Sequence, residues 1–229
     1  MGMHFGLLLV EGSQDILAHG LAGINARLEP AGPEATLDDI EKPGLREAAT
    51  AIQHLMGFTI LYDGQMLLAH DHDLIVELSR ISGSRACGCV GETVSGTFMF
   101  CSAVAGEVVR AYSHCHWGQS EAWQIGNPLS AERVTAFDGD FDCTPFFEAF
   151  VELGFPNPWP LLDNAKWIPC TLDVNYDAPR KISNALNNAV QQFATTHAID
   201  SPPRIYVVER PAAPRPGWVA RLRRLLGLG

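Results

Sequence analysis

Gly91 to His116, GETVSGTFMFCSAVAGEVVRAYSHCH, holds two apolar, β-rich runs, TFMFCSAV and EVVRAYSH, separated by the short breaks VSGT and AGE. Runs of this length bounded by glycine-containing breaks are the sequence form of consecutive hairpin strands. The preceding run, Arg85 to Val90, supplies a third strand through the Ser95-Gly96 turn, so the stretch predicts a β-meander.

Working outward, Met3 to Val10 (MHFGLLLV) suits a buried strand. Ser13 then offers a helix N-cap, and Ile16, Leu17, Leu21, Ile24 and Leu28 recur at helical spacing, predicting a helix from Gln14 to Leu28 that Gly20 and Gly23 weaken. Glu29 to Lys42 reads as an exposed connection with a short helix near Asp38. Gly57 to Asp63 (GFTILYD) reads as a strand ending at the turn dipeptide Asp63-Gly64. Beyond the meander, Thr144 to Leu153 predicts a helix with Thr as cap and Pro in the first turn. Trp167 to Val174 reads as a strand that Pro169 assigns to an edge. Ala178 to His197 carries a helical stripe of Ile182, Leu186, Ala189, Val190 and Phe193, with an Asn- and Gln-rich opposite face. Arg204 to Glu209 reads as a last strand.

These elements predict an α+β class: a mixed or largely antiparallel sheet of about five to seven strands with a central β-meander and three packed helices. The expected organisation is one acidic domain over residues 1–209, followed by a proline-rich spacer and a basic amphipathic tail over 210–229. At 229 residues and 47% hydrophobic, the chain is long enough for a sizeable core. The last twenty residues hold five arginines and no acid, so the first 209 carry −15 against −10 for the whole. A field of that sign disfavours nucleic acid and favours a basic protein partner, or serves solubility alone. The tail, with Trp218, Leu222, Leu225 and Leu226 on one face, is expected to touch an anionic membrane surface weakly, or to pack against its own acidic body. No apolar run reaches membrane-spanning length, and Leu7 to Val10 is too short for a signal-peptide core, which places the expected location in the cytoplasm. The six cysteines (87, 89, 101, 115, 143 and 170) are then expected to be reduced, and mostly small buried apolar residues.

Candidate site residues fall into three groups. His70, His72 and Asp73, within HDHD, combine imidazole and carboxylate, the usual ligands for zinc, although Asp71 or Asp73 serves equally as the cap of a helix through Ser79. His114 and His116 share a face of the last meander strand, as Cys87 and Cys89 do on the first, but the second strand lies between them and neither spacing is that of a zinc finger. Trp117, Glu121 and Trp123, in a polar aromatic loop from Trp117 to Arg133 expected to be exposed, offer a protein-binding anchor, with packing under the sheet as the competing role. Asp138, Asp140 and Asp142 begin like a calcium loop, but Cys143 stands where glycine is required. Phosphate loops, dinucleotide fingerprints, the G-x-S-x-G elbow and H-E-x-x-H are absent from the sequence.

The progression GFTILYDG, LSRISGSRACGCVGETVSGTFMF, VVRAY, GNPLSAER and a helix ending ELGF resembles small bacterial immunity proteins found beside polymorphic toxins, over Gly57 to Phe155. The resemblance implies stoichiometric binding of a toxin, an acidic body suiting a basic nuclease; it implies no catalytic residue. The leading expectation is therefore a non-catalytic protein-binding module without a cofactor. The alternative is a zinc-dependent hydrolase using some of His70, His72, Asp73, His114 and His116.

Overall fold

The apolar run near the N-terminus becomes β1 (His4–Glu11), an inner strand of the sheet, because its side chains are buried on both faces. Phe5, Leu7 and Leu9 enter one core and Leu8 and Val10 the other. The computed structural model describes residues 4–40, 49–92, 97–115, 123–130, 144–158, 160, 162, 165–197 and 206–207. Further strands are β2 (Ala26–Pro30), β3 (Thr50–Leu55), β4 (Phe58–Asp63), β5 (Arg85–Glu92), β6 (Thr97–Val104), β7 (Glu107–Cys115), β8 (Trp123–Ile125), β9 (Ile168–Val174) and β10 (Tyr206–Val207). The described helices are α1 (Gln14–Gly23), α2 (Leu37–Ile40), α3 (His72–Ser82), α4 (Thr144–Glu152) and α5 (Ala185–His197). The strands form one sheet in the order β10-β8-β7-β6-β5-β1-β4-β3-β9-β2. Every neighbouring pair is antiparallel except the two-residue pairing of β10 with β8.

The expected meander is β5-β6-β7, with Cys89 opposite Phe100 and Phe100 opposite Tyr112. Ala105 and Gly106 close β6 onto β7 with φ of 48° and 86°, the left-handed pair that a two-residue hairpin turn needs. Met56 and Gly57 repeat the device between β3 and β4.

Helices cover both faces. Leu17 and Leu21 of α1, Leu74, Ile75 and Leu78 of α3 and Leu186 of α5 pack on Leu8, Leu61 and Cys101. On the other face Phe147 and Phe150 of α4, with Phe155 and Trp167, pack on Phe5, Phe58 and Phe100. Each large side chain fully buried in these layers contributes about 1.5–3 kcal/mol of transfer free energy.

Four expectations are corrected. The first helix ends at Gly23, not Leu28: Asn25 turns the chain with φ 57° and its amide donates to the carbonyls of Ala178 and Pro179, so Leu28 lies on β2 opposite Leu172. The sheet is larger than expected because β2 and β8 fall where the sequence predicts a helix or a connection, and β3 falls in a stretch for which it predicts no element. β9 is not an edge strand: β3 pairs with its first residues and β2 with the remainder. Pro169 is tolerated because it lies beyond the β2 register, where its carbonyl accepts from Ala31 at 2.8 Å. The helix expected from Ala178 starts at Ala185, the residues before it being held in an irregular path by side-chain bonds described below. Helix α3 starts after Asp71 and runs past Ser79 to Ser82, closed by Gly83 with φ 64°. The Ser95-Gly96 turn, the calcium-like run, the spacer and the basic tail lie outside the described residues.

Candidate functional site

Asp63 ends β4 with a fully buried carboxylate whose Oδ2 accepts from the backbone N–H groups of Leu68 and Ala69, at 2.6 and 2.9 Å. That clamp folds the residues after Gly64 back over the sheet and fixes the start of α3. Gly88 of β5 permits the close approach, since a Cβ there would lie 2.4 Å from the Ala69 carbonyl oxygen and 2.5 Å from Ile75 Cδ1.

At this helix start lies a linked polar cluster. Asp71 is the N-cap, its Oδ1 accepting from Leu74 N–H at 3.0 Å. The same carboxylate takes the fork of Arg180 at 2.7 and 3.0 Å and the Asn187 side-chain amide at 3.0 Å. Burial works against its charge, but Arg180, Leu74 and Asn187 together hold Asp71 below the ordinary 3.8. Asn187 donates through Nδ2, so its Oδ1 is the acceptor facing His72 Nδ1 at 3.3 Å, and the imidazole carries its proton on Nδ1. His72 is buried, edge-on to Trp123 at 5.1 Å, and burial pulls its pKa to about 4, leaving it neutral near pH 7. Asp73 caps α5 instead: its two oxygens accept from Leu186 and Asn187 N–H at 3.1 and 2.9 Å. Burial raises its pKa, which those two bonds offset in part.

The HDHD residues therefore diverge. His70 is exposed, with Nδ1 against the Met66 carbonyl, while His72 meets the side chain of Asn187 and Asp73 the backbone N–H groups of Leu186 and Asn187. Among the described residues no group of three or more His, Cys, Asp or Glu side chains is placed to hold a metal. His114 lies on β7 opposite Phe98, and Phe98 lies opposite Gly91, so it shares no register position with Cys87 or Cys89. Cys87, Cys89, Cys101 and Cys170 are buried, and burial pushes the thiols of Cys87, Cys101 and Cys170 up. His116, Trp117 and Glu121 lie outside the described residues.

Trp123 does not sit in an exposed loop. It lies on β8 and is 3% exposed, because its ring completes the core between the sheet and His72. Arg110, also buried, braces the same edge by donating to the carbonyls of Ile125 and Gly126 and to the Gln124 side chain.

Beside the cluster opens a groove of about 550 Å³ between the start of α3, the β9-α5 connection and the first turns of α5. Leu67, Met99 and Val190 contribute apolar surface, and Asn184, Asn188 and Gln191 contribute amides. Tyr176, 74% exposed, stands among the lining residues. Sequence reasoning noted the amide-rich face of the last helix but not the groove, because Arg180 and Asn187 meet Asp71 across more than a hundred residues of chain. Comparison with protein-family models, curated proteins and solved structures finds no match to this chain.

Proposed function

We propose that the protein is a non-catalytic binding module that holds a basic protein partner stoichiometrically, in the manner of an immunity protein. The observation that carries this reading is how the chemistry divides around the groove. The ionisable cluster is committed inward: Asp71 to Arg180, Leu74 and Asn187, Asp73 to the start of α5, and neutral His72 to Asn187 and Trp123. What remains on the groove wall is largely amide and apolar surface, suited to recognition, with the exposed His70, its Nδ1 against the Met66 carbonyl, as the one imidazole among the described lining residues outside that cluster. The −15 charge of the first 209 residues supplies long-range attraction for a basic surface.

The test is capture on the immobilised full chain from the source cells, followed by native mass spectrometry of the recovered complex. A discrete one-to-one complex with a protein of high isoelectric point is expected. Recovery of acidic proteins only, or of a partner chemically altered by the encounter, would overturn the proposal.

A further inference from the structure

Asn184, immediately before α5, and Asn187, Asn188 and Gln191 on its first turns follow the i, i+3, i+4, i+7 spacing, and all four line the groove. Asn187 is committed to Asp71 and His72. Asn184 and Asn188 are exposed, and their side chains make no hydrogen bond to another described residue. On this basis, and resting on the binding reading above, we infer that the groove seats an extended, uncharged segment of the protein partner, whose backbone N–H and C=O groups pair with the Asn184 and Asn188 amides.

Three features select that occupant. The first is charge. Among the described lining residues Arg180 is the one guanidinium and Asp71 the one carboxylate, and the two are joined in a bidentate pair, so neither is left to answer an ionic side chain. An amide carries both a donor and an acceptor, the same pair that a peptide unit offers. The second is spacing. Four residues of helix advance about 6 Å. Two residues of extended chain advance about 6.6 Å, so successive amides meet successive backbone groups on one side of the strand. Gln191, one methylene longer than Asn, continues the row a further turn. The third is the floor. With the backbone along α5, alternate side chains of the segment point onto Leu67, Met99 and Val190, while Tyr176 flanks the opening. A neutral oligosaccharide shares the amide chemistry but not the repeat of about 6.6 Å, so peptide is the occupant the geometry favours.

The experiment screens the full-length protein against an array of short random-sequence peptides, then measures the best binders as free peptides by fluorescence anisotropy. The expected binders lack charged residues at their core and hold their affinity from low to high salt. They lose about tenfold or more both with the Asn184→Ala/Asn188→Ala double variant and when alternate peptide amides are N-methylated. Both positions are exposed, so the melting temperature should stay at the wild-type value. Asn188→Leu, which fills space rather than emptying it, should give a comparable loss. Absence of binders, binders that need Lys or Arg and fail at high salt, indifference to N-methylation, or selective binding of neutral oligosaccharides on a glycan array each overturns the inference. A partner that binds wild type and double variant equally well removes this groove but leaves the binding reading intact. Peptide binding with no protein partner in cells does the reverse.

Discussion

Asp71 caps a helix, pairs with an arginine and orients an amide at once, so its removal is felt along the whole cluster. Asp71→Ala leaves the Arg180 guanidinium, itself about a quarter exposed, without its carboxylate and strips the cap from α3. A destabilisation of about 2–4 kcal/mol is expected, below the upper range for a fully buried pair. Glu77→Ala, which breaks the pair with Arg80, whose side chain is 61% exposed, should cost under about 1 kcal/mol. Urea unfolding of both variants, read at constant slope, checks the contrast. His72 gives a pH signature. Its folded pKa, about 4, lies below the ordinary 6.5, so the unfolded chain takes up the proton first as pH falls. Stability from this residue is present above about pH 6.5, declines between 6.5 and 4, and is level below that. The total loss is about 3 kcal/mol. Replacing His72 by Gln should flatten the unfolding free energy across that window relative to wild type; an unchanged slope would place the titration elsewhere.

At the scale of elements, the decisive contact is α3 on the sheet. Gly88→Ala would thrust a methyl against the Ala69 carbonyl, which is backbone, and against Ile75, so α3 must lift. The expected cost is about 1–3 kcal/mol. Gly83→Ala, at the left-handed C-cap with open space around it, should cost about 1 kcal/mol from conformation alone. Thermal melts of the two variants decide between crowding and strain.

This contrast also explains what could be read from the sequence. The meander was legible because its strands, turns and core residues are neighbours in the chain, and α3 because Asp71 and Gly83 mark its ends locally. β2 was not, since Leu28 fits a helical stripe as well as it fits a strand. The choice is made by the left-handed turn at Asn25 and by pairing with β9, some 140 residues away. The late start of α5 was hidden for the same reason: Arg180 and Asn187 show their partner only in three dimensions. Trp123 looked like a surface anchor from its polar neighbours, and His72 on a different element is what buries it.

For the whole molecule, two charge regimes act at different ranges. The acidic body should speed encounter with a basic partner, so association slows as salt rises and the Debye length falls from about 10 Å at 0.1 M to about 3 Å at 1 M. On the proposed seating of the partner in the groove, dissociation should change little over the same range. Stopped-flow rates across a salt series separate the two, and a dissociation rate that climbs as steeply as association falls would mean that ion pairs hold the complex. The groove itself is most directly tested by amide hydrogen exchange of the full chain, alone and saturated with its captured partner. Slowed exchange concentrated at Leu67–His72 and Asn175–Gln191 is the predicted result. Protection confined to the outer strand β2 or to the α4 face, with those two segments unchanged, would contradict it.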